Sequence, residues 1–327
     1  MRAMGFHKHG DPEVLTALEV PEPTPRDYDL LVEVHAAGLN PVDTKIRQAS
    51  MFERSFPIVL GFDVSGVVRA VGDKVEGFAV GDAVYGSPAL TRNGSNAELV
   101  LLDSRVAAPK PAALDHREAA ALPLVTLTAW EAMFHHGRLH HGETVLIHAG
   151  AGGVGHVAIQ LARHHGCRVI ATASRDESLG LCRRLGADEV IDYRKADVAD
   201  HVKEITGGRG ADCVLETVGG ANLMLSVACV SPYGRVVSIL PPAEGVDLSS
   251  LFLKNASLHF EFMGGPMYFS HHPESQGQIL RTAAELVDAG KLSPHVSTTY
   301  PLEQLADAHR AQEKGHVTGK LVIVIKA

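Results

Sequence analysis

The residues whose types and spacing point most directly to chemistry are Gly150, Gly152 and Gly155, set at G-x-G-x-x-G spacing in AGAGGVG. That spacing serves an anion. The first glycine permits a tight turn, the second lets backbone approach a pyrophosphate with no Cβ in the way, and the third lets a helix pack closely on the preceding strand. Gly153 and Val154 lie between them, where a helix N-terminus would offer unpaired N–H groups. A glycine-rich strand-to-helix turn without a ligand is the competing reading, and context decides between the two. Here Val145–Ile147 is apolar, the residues after Gly155 repeat apolar positions three to four apart, and the β-branched run Arg168–Ala173 follows. The order is strand, turn, helix, strand, as dinucleotide binding requires. The second strand ends Thr172-Ala173-Ser174-Arg175. An acid there would bond the ribose 2′-hydroxyl of NAD, whereas the hydroxyl of Ser174 and the guanidinium of Arg175 suit the 2′-phosphate of NADPH. Asp176 is one register step from reversing that preference.

The elements that must position these groups change character along the chain. Residues 1 to about 120 read as short strands between turns, with runs at Leu15–Val20, Leu30–Ala37, Val64–Val71 and Ala97–Leu102. Pro41–Gln48 reads as a short helix with Asn40 at its cap. From Asp115 to Phe134 the residues are helix formers, divided at Pro123. Strands and helices then alternate, with strands at Glu189–Ile191, Ala211–Leu215, Arg235–Ile239 and Leu258–Met263. Alternation of this kind predicts a parallel sheet covered on both faces. A helix at Glu274–Ala289, a strand at His295–Tyr300, a helix at Leu302–Lys314 and a strand at Lys320–Ile325 close the sequence.

With 327 residues the chain suits two domains, and its net charge of -8 argues against nucleic acid and anionic membranes as partners. No apolar run approaches the roughly 18 residues of a membrane-spanning helix, and the first residues lack the apolar core of a signal peptide, so a cytoplasmic location is expected. Cys167, Cys182, Cys213 and Cys229 have no C-x-x-C spacing and read as buried thiols. The histidine doublets beside Gly137, Gly142, Gly166 and Pro273 fall at helix ends and turns, where solvated histidine is the simpler reading than a metal site.

HAAGLNPVDTKIR from His35, PIVLGFDVSGVV from Pro57, AAALPLVTLTAWEAM, AGAGGVG from Ala149 and GADEVIDYR from Gly186 together resemble the medium-chain dehydrogenase/reductase superfamily, in particular its zinc-independent quinone oxidoreductase and enone reductase group. The resemblance implies an α/β protein with a GroES-like β-rich catalytic domain, residues 1–122 and 266–327, and a Rossmann doubly wound parallel sheet domain, residues 123–265. It also implies an active site in the cleft between them and a homodimer built through the last Rossmann strand, matched by Leu258–Met263. Zinc-dependent relatives carry cysteine where Asn40 stands, histidine where Phe62 stands and commonly cysteine near Leu124, so no metal site is expected.

The reaction so implied is hydride transfer from NADPH to a quinone or an α,β-unsaturated carbonyl, with the anion left on the acceptor stabilised electrostatically. Asn40, Asp43 and Lys45 match the catalytic segment. Asn40 is placed beside the nicotinamide, and Lys45 is either a cationic donor to an enolate oxygen or a surface lysine paired with Asp43. Thr128 resembles the threonine that contacts the nicotinamide carboxamide, or bonds its own helix. Tyr193 matches a position packed near the 2′-phosphate. Three other readings stay open: a zinc-free alcohol dehydrogenase-like enzyme, an NADPH-binding protein with an interaction or sensing role, and, against the charge, a nucleic-acid-binding protein.

Overall fold

The computed structural model describes residues 1–242 and 244–326. In chain order the strands and helices are β1 (Arg2–Phe6), β2 (Thr16–Glu19), β3 (Asp29–Leu39), α1 (Pro41–Gln48), β4 (Ile58–Val59), β5 (Val64–Val71), β6 (Ala83–Gly86), β7 (Leu99–Asp103), β8 (Ala107–Pro109), α2 (His116–Ala119), α3 (Pro123–Trp130), β9 (Thr144–Ile147), α4 (Gly153–His164), β10 (Arg168–Ala173), α5 (Asp176–Arg184), β11 (Glu189–Asp192), α6 (Val198–Ile205), β12 (Ala211–Glu216), α7 (Asn222–Cys229), β13 (Val230–Ser238), α8 (Ser249–Lys254), β14 (Ser257–Phe260), α9 (Gly265–Tyr268), α10 (Glu274–Asp288), β15 (Val296–Pro301), α11 (Leu305–Glu313) and β16 (Lys320–Val324). They form two compact units. One comprises Met1–Leu127 and Gly264–Ala327, the other Thr128–Met263. The expected division at 122/123 thus falls five residues later, inside α3. Pro123 opens that helix, where a missing N–H costs nothing, and the helix then runs on without a break.

The contiguous unit is a six-stranded parallel sheet in the order β11-β10-β9-β12-β13-β14. Numbered from β9, this is the doubly wound order 3-2-1-4-5-6, which reverses direction between β9 and β12. Leu146, Ile170 and Val214 of neighbouring strands pack with Val202, Leu223 and Val227 of the helices on one face, and Val145, Ile147 and Ala171, which alternate to the other face, are fully buried as well. Cys167, Cys182, Cys213 and Cys229 are buried thiols, and burial raises each well above the ordinary cysteine value.

The split unit is β-rich. Its larger sheet runs β15-β16-β3-β5-β6-β8, with β7 also pairing with β3, and a smaller sheet runs β2-β1-β4. Phe6, Ile46, Leu60, Phe62, Leu305 and Ile323 form one core. Residues from both sequence segments fill it. The strands β1, β4, β6 and β8 were not expected from the sequence, being two to five residues long and too short for alternation to register. The segment expected as one helix from Leu302 begins as a 3₁₀ turn, Leu302–Gln304, before α11.

Candidate functional site

Two sets of polar groups are built into the units, one in each. In the Rossmann-type unit the turn after β9 carries the glycines. Gly150 N–H donates to Thr172 O at 2.9 Å, which ties the turn to β10. A Cβ on Gly150 would lie 2.8 Å from the Ala171 Cβ, and one on Gly155 would lie 2.3 Å from Ala149 O and 2.7 Å from the Gly150 Cα. Both glycines are therefore demanded by packing. Gly152 differs: a Cβ there would meet Ala149 O at 3.2 Å and next to nothing else. Its missing side chain leaves room beside the start of α4, whose first intrahelical bond is His156 N–H to Gly152 O at 3.0 Å. The N–H groups of Gly153, Val154 and Gly155 precede that bond, and Gly152, Gly153 and Val154 are half-buried. N–H groups at a helix N-terminus, with room left beside them at Gly152, fit a pyrophosphate.

The far end of such a ligand would meet the ends of β10 and β11. The register Ala173 to Asp192 brings Tyr193 beside Ser174, and Tyr193 N–H donates to Ala173 O at 3.3 Å. Ser174 is buried, Arg175 is half-buried and caps α5, and Tyr193 is 51% exposed. Asp176 stands at the first position of α5 and is exposed, so the strand ends on Ser174-Arg175 rather than on an acid. Thr128 is buried in α3.

In the split unit, β3 runs directly into α1 through Asn40. The Asp43 carboxylate accepts the Asn40 N–H at 2.8 Å, half of a capping box, and the Gly61 N–H at 3.0 Å. The Asn40 side chain is held more firmly. Its Nδ2 donates to Asp63 Oδ2 at 2.8 Å, Lys320 Nζ donates to its Oδ1, and Lys320 pairs with Asp63 at 3.0 Å. The second Asp63 oxygen accepts the Leu124 N–H at 2.6 Å. Asn40, Asp43, Asp63 and Lys320 are all at most 2% exposed.

Strand register explains this convergence. β16 pairs antiparallel with β3 at Leu321–Leu39, so Lys320 lies one step on, opposite Asn40. Gly38 makes way for the carboxylate, because a Cβ there would stand 2.7 Å from Asp63 Oδ2 and 2.4 Å from Ala120 O. Two carboxylates thus share one buried ammonium. Burial raises Asp43 to about 7, opposed by the Asn40 and Gly61 N–H groups and Lys320, and Asp63 is raised by burial against the same ammonium.

Of the catalytic segment, then, Asn40 and Asp43 point into the fold and Lys45 does not. The Lys45 side chain is exposed, with no hydrogen bond or ion pair among the described residues, and Asp43 is not its partner. Phe62 is fully buried in apolar core and Leu124 packs against the same core. Among the described residues no three or more His, Cys, Asp or Glu side chains are grouped so that they could hold a metal ion. Asp63 and Lys320 were not singled out from the sequence. They lie 257 residues apart, and the only local signal was a lysine opening an apolar strand, where a strand facing the core would not be expected to begin on a charge.

Residues 26–112 match the alcohol dehydrogenase GroES-like domain, and residues 185–323 match a family described as zinc-binding dehydrogenase. The chain is 32% identical to the human quinone oxidoreductase over 99% of this chain and 98% of that one. It superposes on an alcohol dehydrogenase superfamily protein from Novosphingobium aromaticivorans with a TM-score of 0.92, 36% identity and full coverage of both chains. Against the Escherichia coli quinone oxidoreductase complexed with NADPH the TM-score is 0.89 at 30% identity, covering 99% of this chain and 100% of that one.

Proposed function

The chain belongs to the medium-chain dehydrogenase/reductase superfamily, close to its zinc-independent quinone oxidoreductases, and we propose on that premise that NADPH is its reductant. It is an NAD(P)H-dependent oxidoreductase acting on quinone- or enone-like acceptors. The choice of NADPH over NADH rests on one observation: the second Rossmann strand ends on Ser174 and Arg175, with Asp176 already inside the next helix. A guanidinium binds a phosphate oxygen with charge-assisted hydrogen bonds, whereas a carboxylate would repel it.

In this reading NADPH, when bound, supplies a hydride to the electron-poor carbon of the acceptor. The residues of the chain bind, orient and stabilise. Gly150, Gly152, Gly153, Val154 and Gly155 receive the pyrophosphate, Ser174, Arg175 and Tyr193 the 2′-phosphate, and Thr128 the carboxamide. Asn40 donates to the acceptor oxygen, Asp43 fixes the start of α1, and Lys45 stabilises the anion from the solvent side. The family pattern further supports a homodimer through β14, whose Phe260 is exposed on an edge strand. Among the described residues no helix is long and apolar enough to cross a membrane. The absence of a long apolar run in the sequence supports a cytoplasmic location.

The test is NADPH oxidation against a panel of quinones, enones, nitroalkenes and aldehydes. Turnover with quinones or enones is expected. A flat response over the whole panel, with NADPH still bound, would favour the interaction or sensing role instead. Within the panel, Lys45→Met should lower kcat on enones by roughly 10- to 1000-fold at unchanged NADPH affinity. Wild-type kcat on every enone would return Lys45 to the surface.

A further inference from the structure

The Asn40 amide is held by opposite charges at its two ends. Lys320 Nζ faces Oδ1, Asp63 Oδ2 faces Nδ2 at 2.8 Å, and the two charged groups pair with each other at 3.0 Å. Turning the amide over would set its NH₂ against an ammonium and its oxygen against a carboxylate. Two charge-assisted bonds therefore favour one orientation by roughly 100-fold or more. In that orientation one Nδ2 hydrogen is taken by Asp63. The other has only the Gly38 carbonyl at 3.4 Å, too long for a strong bond. Oδ1, already on a cation, is a poor acceptor for a second partner. Any oxygen that reaches this amide meets a donor.

We propose that Lys320 is a positioning residue for the reaction, an inference that rests on the function proposed above. It locks Asn40 as a donor and, by drawing electron density from Oδ1, strengthens the remaining Nδ2–H toward an oxygen that gains negative charge. A carbonyl or quinone oxygen fits that polarity. An alcohol hydroxyl, which must donate its own proton, finds no acceptor there. The buried ammonium reaches the substrate through the amide, while Asp63 holds the ammonium in place and fixes the other end.

Lys320→Met alone leaves Asp63 buried without its cation, and Asp63→Asn alone leaves Lys320 buried without its anion. The informative variant is the neutral double, Lys320→Met/Asp63→Asn. It is expected to melt within about 5 °C of wild type and to bind NADPH as wild type does. Its kcat on an enone should fall by roughly 10- to 100-fold. Adding Asn40→Ala to the double variant should cost less than about 3-fold more, because both changes remove one device. A folded double variant with wild-type kcat overturns the proposal, as does a fully additive Asn40→Ala loss. Should the double variant not fold, Lys320→Arg, which keeps the cation, must stay within about 3-fold of wild type where Lys320→Gln does not; equal losses in the two overturn it. Side-chain amide exchange at Asn40 in the ¹⁵N-labelled protein gives a readout without turnover. Slow exchange in wild type, lost in the variant lacking the charges, supports the clamp, and exchange as fast as that of an exposed asparagine overturns it. A wild type that oxidises NADPH with no quinone or enone would instead sink the function proposed above, with the clamp still measurable.

Discussion

The turn at Gly150–Gly155 and the cluster around Asn40 handle polar groups in opposite ways. The turn leaves the first N–H groups of α4 ahead of any helical acceptor and keeps space open at Gly152. The cluster satisfies nearly every donor and acceptor internally, at no more than 2% exposure. One awaits a ligand, and the other keeps a single weakly bonded donor, the second Nδ2–H of Asn40. Where polar groups are left unmatched, the fold is prepared for binding; where buried charges are matched, it holds a geometry and a polarity.

The largest expected effect separates two glycines of the same turn. Gly155→Ala would drive a Cβ into the backbone of Ala149 and Gly150, so NADPH binding should be lost and the unit should melt at a markedly lower temperature. Gly152→Ala should barely move the melting temperature yet weaken NADPH by roughly 10-fold, because its Cβ meets the protein only at Ala149, at 3.2 Å from the carbonyl oxygen, and otherwise stands where the pyrophosphate is proposed. If both variants lose stability alike, Gly152 serves packing as Gly155 does and is not reserved for a ligand.

In the cluster, Lys320→Met should cost about 3–5 kcal/mol of stability by stranding a buried carboxylate. NADPH affinity should be unchanged, since the residues proposed to hold its phosphates, Gly150 to Gly155 with Ser174 and Arg175, belong to the other unit. Denaturant melts alongside NADPH titration read both quantities, and a loss below about 0.5 kcal/mol would mean that the pair is not buried in solution.

Asp43 sharpens the contrast through pH. Its folded value of about 7 lies above the ordinary 3.8, so the native state holds a proton there that the unfolded chain releases. The resulting stability is fully present below about pH 4 and is lost as pH rises through 7. Asp43→Asn should remove that part of the decline, worth at most about 4 kcal/mol, while the cradle variants leave it intact. Unfolding free energies from pH 5 to 8 check it; an unaltered slope would show that Asp43 is ionised throughout.

The last effect is confined to the proposed 2′-phosphate site and leaves stability untouched. Arg175→Ala should weaken NADPH by about 10- to 100-fold and leave NADH nearly unmoved. Equal dissociation constants for the two cofactors in the wild type would remove the basis for preferring NADPH.

The two regions also differ in how far they can be read from sequence. The turn is local: glycine spacing, a β-branched run and a helical repeat fall within 32 residues, Thr144 to Arg175, and the strand Arg168–Ala173 and helix Pro41–Gln48 have the expected bounds. Asn40 and Pro41 announce a helix start through backbone chemistry alone. What Asn40's side chain faces is decided by Lys320, 280 residues away, through a strand register that no local pattern encodes. Gly38 is similar, because its need for no side chain comes from Asp63 and Ala120, not from its own turn geometry.

The same register sets a timetable on the ribosome. The residues from Thr128 to Met263 are contiguous and can fold as they emerge, but β3 lacks its neighbour β16 until Lys320 has been made. At about 5–20 residues per second, 280 residues separate Asn40 from Lys320 by roughly 15 to 55 s. Through that interval the Ala36–Leu39 stretch of β3 lacks its β16 partner and Asp63 has no cation, so the nascent first segment is the stretch that a chaperone would hold. Nascent chains halted before Lys320 should yield to protease within residues 1–127 while the segment from Thr128 to Met263 resists; equal resistance in both would show that the first segment folds without its closing strand.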